Sequence, residues 1–389
     1  MDLAQQVDIA DVERYLSDIE AAIGSVDLTY PALLRGRGVG AEAAFVQFLL
    51  TWANRSDSRK IVLLDTLPAE EYAARLSERI SGRVAALVCT SARRRRGGTD
   101  YARLVKGSTE RALLDNYYTS SIGRQNVSGR SIAVVCADTA GFGEPRSVYD
   151  IDISGGWEVK DPLGFEAIVE GALSAIIFDV YDRDLSVDKE FTQAAASLLF
   201  ELFSNTHDHA RSGFSGEPLS SSCRGFQIRV VEAEDRVLLD AAQGYAPLQS
   251  YLRQLPSGRG LHRHILEISV FDAGLGFAQQ FTKKMLASLS LAEERAAVDR
   301  CFARGVTTKS HRRYGQGLPQ VVTLLRQRHG FIRLRTGRLS LSRDLGLEAS
   351  RTREEIPSFE EWHPATSSAC AAIQGSCLTV LMPIEKLSR

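Results

Sequence analysis

The stretch EFTQAAASLLFELFSNTHDHA constrains the chain most, because its residues fall into two classes at helical spacing. Leu198, Leu199, Leu202 and Phe203 recur so as to give a helix over 188–210 one apolar side. Glu201, Asn205 and Asp208, four and three residues apart, share a different face. A carboxylate and a carboxamide stacked one turn apart suit one task well. The Asn oxygen is a hard ligand for Mg²⁺, and the Glu can orient or deprotonate a water beside a phosphate. The competing reading is a solvated polar face on an amphipathic helix.

Other segments place this helix in a chain of two domains, for which 389 residues suffice. Residues 1–160 alternate helices and strands. Helices are expected at 9–23, 40–53, 68–80 and 108–117, and strands at 60–66 (KIVLLDT), 84–90 (VAALVCT) and 131–138 (SIAVVCAD). That order predicts a small α/β domain with a largely parallel sheet. The Gly-, Pro- and Asp-rich stretch 139–161 marks the boundary. Residues 161–389 then carry helices at 163–176, 188–210 and 318–330, with strands at 226–231, 265–271, 331–336, 339–343 and 377–382.

Three further strings bear chemistry. ILEISVFDAGLGF is a strand ending in Asp272, Gly274 and Gly276. A carboxylate there can accept a hydrogen bond from an exocyclic amine such as that of adenine, and the glycines let backbone approach a flat base. A plain Asp/Gly turn is the bland alternative. RYGQGLPQVV sets Gly315, Gln316, Gly317 and Leu318 at a helix start, where free N–H groups and the helix dipole favour phosphate. Upstream, CFARGVTTKSHRR offers Thr307, Thr308 and Lys309, with Arg312 and Arg313, as a lid over a polyphosphate; a basic surface loop competes with that reading. Last, Gly375-Ser-Cys-Leu-Thr379 begins a strand able to line an adenine pocket.

The order ExxxN on a helix, DxGxG after a strand, TTK…GxGL before a helix and a final GSxxTVxxP strand resembles the GHKL superfamily. That group takes in DNA gyrase, heat-shock chaperones, sensor histidine kinases and the MutL mismatch-repair proteins. The likeness covers about 165–385 and is nearest to the histidine-kinase branch. It implies an α/β sandwich of the Bergerat type with a mixed sheet, binding ATP and Mg²⁺. Glu201 then becomes the water-orienting residue or general base, Asn205 the Mg²⁺ ligand and Asp272 the adenine-reading carboxylate, with Asp208 nearby. Gly274 and Gly276 admit the base. Gly315 to Leu318 cover the phosphates, Thr308 and Lys309 belong to the lid, and Thr379 lies near adenine. The 67 residues between Asn205 and Asp272 exceed what a compact histidine-kinase domain uses, the surplus lying at 232–262 with a short helix, APLQSYLRQL. A second excursion spans 345–370.

Function is narrowed by what is missing. No histidine precedes His207, so the phosphoacceptor histidine that a sensor kinase needs before its ATP domain is absent from 1–206. The leading expectation is a cytoplasmic GHKL-type ATPase acting as a nucleotide-driven switch, with the N-terminal domain binding a protein partner and with self-association in keeping with the resemblance. The alternatives are a kinase acting on a partner protein and a nucleotide-binding scaffold without turnover. A formal net charge of −1 argues against nucleic acid or membrane binding through bulk charge, and Arg93–Arg96 reads as a solvated loop. No apolar run is long enough to span a bilayer. Six scattered cysteines without CxxC spacing argue against structural zinc. The His207/His209 pair points in two directions and reads as surface.

Overall fold

A computed structural model describes residues 1–64, 67–118, 121–122, 127–128, 130–138, 144–180, 187–217, 219, 222–242, 244–255, 262–303, 317–348, 359–362 and 369–384. The N-terminal part runs β1 (Gln6–Val7), α1 (Ile9–Ala21), β2 (Leu28–Tyr30), β3 (Arg35–Gly36), α2 (Ala41–Arg55), β4 (Lys60–Leu63), α3 (Ala69–Ser77), α4 (Ile80–Val88), β5 (Ser91–Arg94) and α5 (Ala102–Tyr118). Strands β2, β4 and β5 form a parallel sheet, of which β4 alone falls on an expected strand. Helix α1 starts on a capping box, Asp8 and Asp11 each accepting from the other's backbone N–H. Trp52 is buried in α2 and donates to Val26 O at 2.6 Å.

Two elements here differ from expectation. Residues 84–88 of VAALVCT end helix α4, and the strand comes next, at Ser91–Arg94, running into the arginine run expected to be a loop. Only Ala92 of that strand is buried, so no apolar alternation announces it. Val84, Ala85 and Ala86, by contrast, are consecutive and all buried, which an enclosed helix permits as readily as a strand does.

The second part carries β6 (Val127–Ser128), β7 (Ser131–Ala137), β8 (Tyr149–Ile151), β9 (Trp157–Val159), α6 (Pro162–Val180), α7 (Lys189–His209), β10 (Cys223–Glu234), α8 (Asp235–Ala241), α9 (Ala246–Gln254), β11 (His262–Asp272), α10 (Phe277–Thr282), α11 (Leu291–Cys301), α12 (Gly317–Gln327), β12 (Phe331–Thr336), β13 (Leu339–Asp344), β14 (Glu360–Glu361) and β15 (Ser376–Pro383). An eight-stranded sheet, ordered β14-β13-β12-β15-β11-β10-β7-β6, is antiparallel at each pairing. The chain therefore mixes both strand directions but keeps them in separate sheets. Strand β7, expected in the first domain, pairs with β10 in this sheet, so the large sheet begins before residue 160.

Period-two alternation gives the sheet two unlike faces. Phe226, Ile228, Leu266, Ile268, Val270, Leu378 and Val380 pack beneath α6, α7 and α12 in one apolar core. The intervening positions carry a buried polar stripe, Gln227, Glu267, Ser269, Arg333, Arg335 and Thr379, set among apolar Ile265, Phe271, Phe331, Cys377 and Leu381. The N-terminal part covers them. Glu13 of α1 meets Arg335 at 3.0 Å and Arg333 at 3.5 Å. Helices α8 and α9, the excursion at 232–262, pack on this face too, with Tyr245 stacked on Trp362. Of the 345–370 excursion, residues 349–358 and 363–368 lie outside the described residues. Among the described residues, no helix is long and apolar enough to cross a membrane.

Candidate functional site

Helix α7 positions the first groups. Asp188 caps its N-terminus by accepting from Phe191 N at 2.6 Å, and Leu198, Leu199, Leu202 and Phe203 hold it on the sheet. Its other face borders a cavity of about 620 Å³ lying against the end of β11, the start of α10 and the start of α12. Glu201, Asn205 and Asp208 line this space, as do Asp272, Gly276, Gly317 and Leu318. Stretches more than 40 residues apart in sequence thus meet there. Val270, Leu378, Phe277 and Phe281 supply apolar wall.

Asp272 ends β11 with 5 % of its surface exposed. Its Oδ1 accepts from Gly274 N at 2.8 Å and its Oδ2 accepts from the Ser376 hydroxyl. Burial pushes the carboxyl above the usual range, opposed by those hydrogen bonds. Each carboxylate oxygen has a second lone pair, so the group retains acceptor capacity toward the cavity. The strand that supplies Ser376 enters through Gly375, which has φ +70°, and whose absent Cβ would stand 2.0 Å from Asp272 O. Only glycine satisfies both demands.

The backbone behind Asp272 is held from the opposite face. Gln47 of α2 donates to Asp272 O at 3.0 Å and to Gln374 O. Gln374 in turn donates to Ala273 O at 2.9 Å and Gly274 O at 2.7 Å, and its side-chain oxygen accepts from Asn54.

Gly317 opens α12 directly against α7. A Cβ there would lie 2.6 Å from Glu201 Oε2 and 3.7 Å from Asn205 Nδ2. Asn205 Nδ2 is buried and has no hydrogen-bond partner among the described residues. Such an amide is left short of a partner that a ligand in the cavity can supply. Gly274 packs against the end of α7, its absent Cβ 2.6 Å from Ala210 Cα. Thr308, Lys309, Gly315 and Gln316, with Thr307, Arg312 and Arg313, lie outside the described residues.

Thr379 is a correction. It lies on the other face of the sheet, 2.8 Å from Ser269 Oγ and beside Gly40, because β15 alternates and it is Ser376 and Leu378 that face the cavity. Ser376 is the residue that sequence reasoning missed, although it follows Gly375 directly and shares the parity of Leu378.

His207 and His209 also line the cavity instead of facing solvent. They diverge as their spacing requires: His207 Nδ1 is 3.1 Å from Tyr149 Oη, and His209 Nδ1 is 3.3 Å from Gln280 Nε2. Burial, with Arg224 and Arg211 close by, lowers His207 to about 4, so the ring is neutral at pH 7. Arg224 is itself fully buried, donating to Tyr149 Oη, Asp138 and Glu144. The β8–β9 hairpin that brings Tyr149 here and Trp157 to the cavity rim lies in the stretch expected to be a linker. Cys301 borders the cavity, but burial pushes its thiol up to about 12, too high for a thiolate nucleophile.

Fold and site together define a mixed α/β protein with a cavity between a helical layer and an antiparallel sheet, holding a buried carboxylate at a strand end. Comparison with protein-family models, with curated proteins and with solved structures finds no match. No group of three or more His, Cys, Asp or Glu able to hold a metal occurs among the described residues.

Proposed function

We propose that this chain is a Mg²⁺-dependent ATPase of the GHKL type, its cavity taking the nucleotide between α7, α12 and the sheet in a Bergerat-like arrangement. The convergence of Glu201, Asn205, Asp272 and Gly317 on one cavity carries the reading. Its volume of about 620 Å³ lies within the usual range for small-ligand pockets.

The roles follow from the chemistry of each wall. Asp272, fixed by Gly274 and Ser376, accepts from the exocyclic amine of adenine, and Val270, Leu378 and Phe277 border the ring. Asn205 holds Mg²⁺ through its carboxamide oxygen; which end of an amide is oxygen follows from its hydrogen-bond network, and the buried end assigned as Nδ2 has no partner among the described residues. A single protein ligand would suffice for Mg²⁺, which is bound chiefly through water and substrate phosphates, and no cluster of carboxylates occurs among the described residues. Bound there, the ion supplies charge neutralisation to the phosphates. Glu201, one turn earlier and against the start of α12, orients water for attack. The N–H groups at that helix start favour the phosphates.

Purified protein with Mg²⁺ should hydrolyse ATP, and Glu201→Ala should abolish turnover while leaving ATP binding in place. Asp272→Asn should lose binding of ATP more than of inorganic triphosphate. With labelled ATP, free phosphate supports the ATPase, whereas label on a polypeptide shows a kinase and thermal stabilisation without turnover shows a scaffold. Failure of ATP to bind at all defeats every version.

A further inference from the structure

A second cavity, of about 510 Å³, lies on the other face of the large sheet, bounded by the β3–α2 loop, the start of α4 and the β7–β10 edge. Six arginines line it, Arg35, Arg37, Arg79, Arg83, Arg130 and Arg229, against two glutamates, Glu42 and Glu78. Three of the arginines are anchored in the wall. Arg229 donates to Gly38 O at 3.0 Å, Arg83 donates to Ser77 O at 2.7 Å, and Arg130 pairs with Glu232 at 3.4 Å. Glu42 is engaged as well, accepting from Gly36 N at 2.7 Å and from Ser81 Oγ at 2.6 Å. Arg35, Arg37 and Arg79 have no ion-pair partner among the described residues.

Two further observations point to a ligand. Gln227 lines the cavity with 5 % of its surface exposed, and its Oε1 has no hydrogen-bond partner among the described residues. Helix α4 begins in the cavity wall, with Arg79 at the N-cap and no side chain capping it. Its first-turn N–H groups and positive end therefore add to the guanidinium charge. Arg35, Arg37 and Arg79 stand exposed at this concavity beside Glu78, where water screens their repulsion, and their planar forks match phosphate oxygens. The buried end of the Gln227 amide lacks a partner among the described residues whichever atom occupies it, so the occupant carries a hydroxyl or amine group beside its anionic group.

We propose that this cavity binds a small phosphorylated compound bearing a hydroxyl or amine donor, of the size class of a phosphorylated sugar or nucleoside monophosphate. A concave site of this volume with a buried amide suits a small molecule. Nucleic acid is read by an extended basic stripe on a basic chain, and this chain has a formal net charge of −1. The site is separate from the nucleotide cavity and does not depend on that assignment.

The test is calorimetric titration of the full chain with ribose 5-phosphate and with inorganic pyrophosphate, neither of which carries adenine. Both should bind saturably. Arg35→Ala combined with Arg79→Ala should weaken both at least about tenfold, since two charge-assisted contacts are lost. Gln227→Leu should weaken ribose 5-phosphate more than pyrophosphate. Circular dichroism of each variant, with retention of ATP binding, separates lost contacts from lost folding. Three results overturn the proposal: no binding of either probe, unchanged affinities in the folded arginine variant, or binding of a single-stranded oligonucleotide without either small probe.

Discussion

Residues at the proposed nucleotide cavity divide by what each can lose. Gly317 stands where a methyl group would press on the far end of Glu201, at 2.6 Å from Oε2, with Asn205 Nδ2 at ordinary contact distance. A flexible carboxylate moves aside cheaply, so Gly317→Ala should leave the unfolding midpoint nearly unchanged while ATP turnover falls at least about tenfold. Displacement of an orienting group by an ångström costs catalysis on the order of 100-fold. Steady-state turnover set beside thermal unfolding checks this, and unchanged turnover argues against Glu201 as the water-orienting group. His207 gives a pH signature. Its folded-state pKa of about 4 lies below the ordinary 6.5, so as pH falls the unfolded chain takes up the proton first. The stability owed to the neutral ring is full above about 6.5 and is lost between there and about 4. Urea midpoints across this window should fall less steeply for His207→Gln than for the parent chain. Parallel slopes count against a buried neutral ring.

Among the elements, α2 stands out because it belongs to the N-terminal part yet grips the turn that presents Asp272. Gln47, 1 % exposed, donates to both Asp272 O and Gln374 O. Gln47→Leu keeps the volume and takes the donor from the buried Asp272 carbonyl and the part-buried Gln374 carbonyl, a loss of about 1–3 kcal/mol in stability. Because the turn is freed, ATP affinity should fall as well, by about tenfold or less. Equilibrium urea unfolding and ATP titration measure the two effects. A variant as stable and as tight-binding as the parent shows that α2 is a bystander. None of this grip was legible in the sequence, since Gln47 sits in an apolar helix and its partners are backbone atoms more than 200 residues away. Helix α7 was legible because both of its faces are written at one period. Strands β11 and β15 were legible from alternation, whereas β5 was hidden by its arginines and α4 by an unbroken run of small apolar residues. The face of Thr379 was readable from parity with Leu378, but only once the cavity side of β15 was known.

For the molecule as a whole, the alternating strands FQIRVV, ILEISVF and FIRLRT have the look of a sheet with one face in water. In the structure that face is covered: its buried polar stripe lies among apolar Phe271, Phe331, Cys377 and Leu381, and the N-terminal part supplies counter-charges to the stripe. Arg335, 2 % exposed, donates to both oxygens of Glu13 and to the carbonyls of Gly337, Leu339 and Ala371. Arg333 shares the same carboxylate. Removal of that one acid leaves two buried guanidiniums without their counter-ion, so Glu13→Ala should lower stability by about 3–5 kcal/mol. Glu13→Ala with Arg335→Met should recover part of that loss, because the unpaired charge is then gone as well. The location of the tryptophans turns this into a test of cooperativity. Trp52 sits in the N-terminal core and Trp157 packs against the core beneath α6, α7 and α12, while Trp362 lies in a cluster that also takes in Ile9, Val39 and Ala41. If the buried ion pairs make one folding unit of both parts, the fluorescence of a Trp52-only variant and of a Trp157-only variant should change at the same urea concentration. In Glu13→Ala the two midpoints should fall together. Should Trp52 report a separate, earlier transition in the parent chain, the two parts fold independently, and the face carrying the polar stripe is stable without its cover.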